Sequence, residues 1–383
     1  MIIVSCREET YRYNAFHMMK AFFPWEEVSS RLDTEQEKLI IVYKDCDEDS
    51  SLAGNPQSGN MPANDQQNIM AAVSFAESKN DAERQLYRKL EKLTGEILPW
   101  GILMGVRPTK PAMSAIDKGL SREQFITGFT EEKLVSPEKA ALAWQIASKE
   151  KAVISSIENK IGRPVKQTYS LYIGIPFCPS ICSYCSFSAG TISAWSDQVD
   201  GYLDALCNEI KPDEKPISVY IGGGTPTSLN EAQLERLLTH LRNTVHPENT
   251  FEFTLEAGRP DSITAAKLQL AKDFGVSRIS INPQTMQQKT LDLVGRGHTV
   301  EQIYEAFELA REIGFNNINM DLIVGLPGEG CTEMDDTLQQ IRSLAPDSLT
   351  VHALAIKRTS RMAGQCVDGR TVTDMITMAR QAA

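Results

Sequence analysis

The chain has 383 residues, 42% hydrophobic and 23% charged, with a formal net charge of −11. That length suffices for two or three domains and a large buried core, and the acidic balance argues against broad nucleic-acid or membrane binding. No apolar run approaches the roughly 20 residues that span a bilayer, and the opening MIIVSC has neither the length nor the basic flank of a signal peptide, so a cytoplasmic protein is expected.

Residues 1–160 read as an α+β domain. MIIVS, KLIIVYK and NIMAAVSF are short β-branched runs, whereas HMMKAFF and AERQLYRKLEKLTGEI carry helical spacing. Between them an acidic stretch near 45–67, rich in Gly, Pro, Asn and Ser, has too little apolar surface to pack and is expected to be a mobile loop. LPWGILMGVRPTKPAM then reads as a Gly/Pro-punctuated turn segment. A long connecting helix follows, with Ser136 as its N-cap and Pro137 at the first helical position.

From 168 to about 365 the pattern turns regular. Six apolar strands (SLYIGI, ISVYIGG, FEFTLEA, RISINPQ, NINMDLIVG, SLTVHALAI) alternate with amphipathic helices. One helix carries Leu234, Leu237, Leu238 and Leu241 on a single face. Another carries Ile303, Ala306, Phe307, Ala310 and Ile313, and Gly314 ends it. Such alternation predicts an α/β fold whose parallel sheet is buried on both sides. Six units suit a partial (β/α)6 barrel, with chemistry at the C-terminal ends of its strands. Residues 366–383 look like the start of a C-terminal region that breaks off within a helix.

Three of the eight cysteines, Cys178, Cys182 and Cys185, fall within IPFCPSICSYCSF just after the first of these strands. In a reducing compartment such a cluster suits metal or redox chemistry. Tetrahedral zinc wants a fourth protein ligand, and no Cys or His lies nearby in sequence. Three thiolates on one loop instead suit a [4Fe–4S] cluster with one iron left open. The GGGTPT turn after the second strand lacks the lysine of a phosphate-binding loop. Its glycines allow close backbone approach, and its N–H groups are candidates to hold a carboxylate or amine-bearing ligand.

LYIGIPFCPSICSYC followed by GGGTPT resembles the radical S-adenosylmethionine (SAM) superfamily. NPQTM, LVGRGHT and NMDLIVGLPGE extend the likeness to oxygen-independent coproporphyrinogen III oxidases and their relatives over about 168–360. The first part, with LPWGILMGVRPTKP, is most similar to the coproporphyrinogen dehydrogenase branch called HemZ. The resemblance implies a radical SAM barrel binding two cofactors, a [4Fe–4S] cluster and SAM.

It assigns Cys178, Cys182 and Cys185 to the cluster. It places Tyr172 near the methionyl group of SAM, and Tyr184 against adenine or in the packing of the cluster loop. Gly223, Gly224 and Thr225 match the turn at the methionine amino end. Glu256, Gln284, Arg296 and Asp321 match SAM-binding positions, an arginine suiting the carboxylate and acids the ammonium or hydroxyls. Ala355 matches a backbone contact to adenine. The implied reaction is reductive cleavage of SAM to a 5′-deoxyadenosyl radical that starts oxidative decarboxylation of two propionates of coproporphyrinogen III, giving protoporphyrinogen IX. Lys357, Arg358 and Arg361 are candidates to pair with propionates, or form a solvated basic turn. The implied partners are a tetrapyrrole and an electron donor, with no nucleic acid or membrane. No catalytic residue beyond the cluster and SAM site is indicated. Two positions depart from the oxidases: Phe187 where they have a further cysteine, and Gly174 where they have a histidine. Haem delivery, or radical chemistry on another substrate, are the alternatives.

Overall fold

The computed structural model describes residues 1–24, 26–44, 69–211, 216–247, 250–357, 359–362 and 369–382. The acidic stretch near 45–67, expected to be a mobile loop, and Arg358 lie outside the described residues. The chain divides into two compact units, Met1–Ile161 and Gly162–Ala383.

In the first unit, β1 (Ile2–Cys6) pairs in parallel with β2 (Val28–Leu32) and antiparallel with β3 (Ile40–Lys44), which pairs antiparallel with β4 (Ile69–Val73). Helices α1 (Glu9–Phe22) and α2 (Lys79–Thr94) bury Met18, Met19, Leu86 and Leu90 with this sheet. Ser78 caps α2 by accepting the Asp81 N–H, and Gly95 ends it at φ 75°. Three helices, α3 (Thr109–Asp117), α4 (Arg122–Lys133) and α5 (Pro137–Ile161), enclose a second core around Phe125, Phe129 and Ala143. Ser136 Oγ accepts the Lys139 N–H at the head of α5. The turn expected through 113 is thus helical from Thr109. Pro111 sits in the first turn of α3, where its missing N–H breaks no helical bond.

The second unit is built on six parallel strands among the described residues: β5 (Ser170–Ile175), β6 (Ser218–Gly223), β7 (Glu252–Glu256), β8 (Arg278–Ser280), β9 (Ile318–Val324) and β10 (Ser348–Ala353). They neighbour one another in chain order. The connecting helices include α6 (Val199–Glu209), α7 (Glu231–Thr244), α8 (Ala265–Asp273), α9 (Gln288–Val294), α10 (Val300–Glu312) and α11 (Cys331–Leu344). Sequential parallel order with helical crossovers gives a partial (β/α)6 barrel. The four leucines of α7 are all buried, worth roughly 2 kcal/mol each against exposure. A last helix, α12 (Gly369–Ala382), adds Met375 and Ala379 to the same core.

The sheet is not apolar on both faces, as its strands suggest. Ile173, Ile221, Leu255, Ile279 and Leu322 are buried in the core, while the alternate residues Tyr172, Tyr220, Glu256 and Asp321 take the opposite face. Tyr172 is 61% exposed there and stacks on Tyr220 at 5.9 Å. A period of two sends one residue set to the core and the other into the barrel interior. Here that interior is polar.

Candidate functional site

Past β5, Phe177–Cys178 pairs in parallel with Gly190–Thr191, closing a loop that carries all three cysteines. Cys182 is buried, Cys178 and Cys185 are half-buried, and none is in a disulfide. The loop is held from several sides. Ser183 N donates to Val294 O at 2.9 Å, Ser180 Oγ donates to Gly295 O at 3.2 Å, and Cys185 N donates to Cys182 O at 3.1 Å. Burial pushes the Cys178 thiol above its ordinary range, against a hydrogen bond from Thr225 Oγ1 at 3.4 Å.

The glycine turn after β6 lies against this loop. Gly224 N donates to Ile175 O at 2.8 Å and Thr225 N to Phe177 O at 2.7 Å. A Cβ on Gly224 would stand 2.6 Å from Phe177 O and 3.0 Å from Cys178 Sγ. One on Gly222 would meet the Tyr220 ring at 2.4 Å and Glu256 Oε2 at 2.7 Å. The turn's N–H groups, expected from sequence to face a ligand, are therefore committed to the chain: Gly224 and Thr225 as above, and Gly223 to the Glu256 carboxylate. The glycines are needed for close packing of the turn on the cysteine loop.

Glu256, at the end of β7, accepts from Tyr220 and from Asn282, the latter at 3.4 Å. Burial, and then the charge of Asp321, push its carboxyl up to about 7. Asp321 Oδ1 takes the Asn319 amide at 2.8 Å. Gln284 lies beyond the end of β8, with φ 69° and a backbone bridge to Leu322. Its Oε1 is buried with no partner among the described residues. The strand expected through 284 stops at Ser280 because Pro283 cannot donate to a ladder and Gln284 leaves the extended region.

Arg296 is 6% exposed, and its fork is spent within the chain. Nη2 donates to Gly258 O and Asn282 O at 2.8 and 2.6 Å, and Nη1 donates to the Tyr184 hydroxyl at 3.0 Å and approaches Cys182 Sγ at 3.9 Å. Its Nε is buried without a partner among the described residues. In this arrangement Nε is the part of the fork left for the ligand carboxylate that Arg296 is expected to meet. Tyr184, its hydroxyl on Arg296, braces the loop from within, and burial pushes it up to about 12.

Arg259, which the sequence reading passed over, is 3% exposed and also approaches Cys182 Sγ, at 3.8 Å. Tyr220 and Asn282 were missed too. Only their places near strand ends hinted at a role.

The cavity lined by Cys178, Cys182 and Cys185 is also lined by Gly223, Gly224, Thr225, Glu256, Gln284 and Arg296. Ala355 is exposed, two residues past β10. Lys357 and Arg361 are exposed, and Thr359 Oγ1 between them reaches Ser186 O at 3.4 Å, which joins this turn to the cysteine loop.

Among the described residues, no three His, Cys, Asp or Glu side chains converge on a single-ion site. The three thiols line one cavity, and three thiolates are the donors that a multi-iron cluster with one open iron requires. Two guanidiniums beside Cys182 suit the negative charge of a thiolate-bound cluster. A buried acceptor on Gln284 and a buried donor on Arg296 are left for a second ligand. The donor set fits a [4Fe–4S] cluster with SAM beside it.

Residues 172–341 match the radical SAM superfamily model. The chain is 40% identical over 298 residues to the oxygen-independent coproporphyrinogen-III oxidase-like protein HemZ of Bacillus subtilis, covering 76% of this chain and 58% of that protein. It is also 40% identical over 197 residues to the heme chaperone HemW of Bacillus subtilis, covering 49% of this chain and 51% of that one. With the oxygen-independent coproporphyrinogen III oxidase of Escherichia coli it shares 34% over 209 residues, covering 53% of this chain and 44% of the oxidase. The chain therefore spans about half the length of these relatives. The solved structure of the Escherichia coli oxidase HemN overlays with a TM-score of 0.47 at 27% identity, over 56% of this chain and 53% of that one. The superfamily's cofactors are a [4Fe–4S] cluster and SAM. Over residues 172–341 the chain carries a radical SAM domain.

Proposed function

We propose that the chain is a radical SAM oxidoreductase acting on a tetrapyrrole, and that its reaction is oxidative decarboxylation of coproporphyrinogen III to protoporphyrinogen IX. The observation that carries the reading is the extent of the HemZ match. It covers 76% of the chain, more than the barrel unit can hold, so it continues into Met1–Ile161. The HemW and oxidase matches are short enough to fit within the barrel unit.

Cys178, Cys182 and Cys185 would hold the cluster through three irons. Glu256, Asp321 and Gln284 would hold the SAM ammonium and ribose hydroxyls, with Tyr172 beside the methionyl group. Gly223, Gly224 and Thr225 would pack against its amino end, Ala355 would meet adenine through its backbone, and Arg296 would offer Nε alone. When bound, these cofactors supply reductive cleavage of SAM and, from it, hydrogen abstraction. The chain's own part is to orient the substrate and exclude water. Lys357 and Arg361, beside the cysteine loop through Thr359, supply positive charge for propionates. An electron donor is required, and a cytoplasmic setting suits the reducing chemistry. Among the described residues no helix is long and apolar enough to cross a membrane.

Haem delivery is the second reading, favoured by the HemW likeness and by Phe187, which lines the cavity and is 75% exposed. Anaerobic reconstitution with SAM, reductant and coproporphyrinogen III separates the two. The oxidoreductase yields 5′-deoxyadenosine together with carbon dioxide and protoporphyrinogen IX. Tight haem binding with coproporphyrinogen untouched would overturn the proposal in favour of delivery.

A further inference from the structure

The three cysteines of the loop are not held alike. Cys178 receives one neutral donor, the Thr225 hydroxyl at 3.4 Å. Cys182 instead faces two guanidiniums, Arg259 Nη1 at 3.8 Å and Arg296 Nη1 at 3.9 Å. Arg259 lies on the loop after β7 and cannot swing freely. Asp261 grips it bidentately, Oδ1 accepting from Nε at 2.9 Å and Oδ2 from Nη2 at 2.7 Å. With the fork fixed, Nη1 also reaches Ser180 O at 3.3 Å and Nη2 reaches Ser180 Oγ at 3.1 Å. One buried side chain therefore fastens the backbone between the first two cysteines and places an N–H on the sulfur of the second. His298, fully buried, stands 4.0 Å from Asp261.

Two guanidiniums, 3% and 6% exposed, stand here against one carboxylate. Burying an excess positive charge is costly unless an anion accompanies it. A thiolate-bound cluster at Cys182 supplies that anion, and gains more negative charge on reduction. Hydrogen bonds to cluster sulfurs are a principal control of cluster potential.

We propose that Arg259, oriented by Asp261, is a positioning residue that fixes the Ser180–Cys182 segment and raises the reduction potential of the cluster through Cys182. The proposal rests on the radical SAM reading above and concerns how this chain tunes that cluster.

The test uses the full chain, reconstituted anaerobically as wild type, Arg259→Lys, Arg259→Gln and Asp261→Asn. Iron content, the midpoint potential followed by electron paramagnetic resonance, and the rate of iron loss to a chelator are measured without substrate. Arg259→Gln is expected to lower the one-electron reduction equilibrium at least tenfold, about 59 mV, and to speed iron loss. Arg259→Lys keeps the charge but not the fork, so it should hold the potential closer to wild type while still losing iron faster. Asp261→Asn frees the fork but also removes a negative charge, so it should lose iron faster than wild type without the fall in potential of the Gln variant. If Arg259→Gln does not fold, the Lys and Asn variants carry the test, and wild-type potential and iron retention in both would overturn the proposal. The same result in a folded Gln variant would do so as well. A wild-type chain that takes up no iron under these conditions would instead overturn the radical SAM reading itself.

Discussion

Arg296 Nη1 donates to the Tyr184 hydroxyl at 3.0 Å, so a residue just past α9 braces one within the cysteine loop. The same guanidinium satisfies Gly258 O and Asn282 O. Arg296→Lys leaves a point charge where a planar fork met three acceptors. At roughly 1–3 kcal/mol per unsatisfied buried group, thermal unfolding of the cofactor-free protein should show a loss of about 2 kcal/mol or more. Tyr184→Phe, which removes one acceptor, should lose about 1 kcal/mol. Weakened SAM binding with unchanged stability in Arg296→Lys would show that the residue serves the ligand rather than the loop.

Iron stoichiometry tests the donor set itself. Anaerobic reconstitution should give about four irons per chain, and Cys182→Ala should abolish the cluster. One zinc per chain without cluster absorbance would sink the reading, because it would assign the three thiolates to a single ion.

Two glycine substitutions should behave in opposite ways. Gly224→Ala places a methyl group 2.6 Å from Phe177 O and 3.0 Å from Cys178 Sγ, both on the segment that presents the cluster ligands. It should cost several kcal/mol or displace the loop, and lower iron uptake in either case. Gly128, inside α4, has nothing within 4 Å of an added Cβ. Gly128→Ala should stabilise the first unit by up to about 1 kcal/mol, read as a higher midpoint in denaturant. A Gly224→Ala protein with normal stability and iron content would refute the packing role of the turn.

What could be read without coordinates was whatever is written in local chemistry. The cysteine spacing, the GGGTPT turn and the leucines of α7 each declare themselves within a dozen residues. β2, VSSRL, did not, because it is a sparsely apolar edge strand whose existence depends on pairing with β1. The polar barrel interior was hidden for a related reason: Tyr172 and Tyr220 count as apolar in a strand pattern, yet they stand on the open face. Arg259 was least legible. A lone arginine on a loop is ordinarily solvated, and only tertiary packing around Asp261 and Ser180 buries it. The inward contacts of Arg296 were hidden in the same way, since its acceptors are the Tyr184 hydroxyl and two backbone carbonyls from other loops.

The last prediction concerns Glu256 and pH. Burial first, and the Asp321 charge second, raise its carboxyl from the ordinary 4.5 to about 7, against hydrogen bonds from Gly223, Tyr220 and Asn282. Between those values the folded chain holds a proton that the unfolded chain has released. The contribution to stability is therefore fully present below about 4.5 and is lost as pH rises through about 7. At about 1.4 kcal/mol per pH unit, the whole effect is at most about 3.5 kcal/mol. Raising the pH from 5 to 8 should lower the midpoint of the cofactor-free wild type relative to Glu256→Gln, which has no proton to lose there. A bound ammonium beside Glu256 would favour the carboxylate and reverse the shift, so SAM binding near pH 6.5 should release protons. Calorimetry in two buffers of different ionisation enthalpy counts them. Glu256→Gln should bind SAM more weakly and release fewer protons. Equal proton release by the two proteins would place the ammonium elsewhere and remove Glu256 from the SAM site.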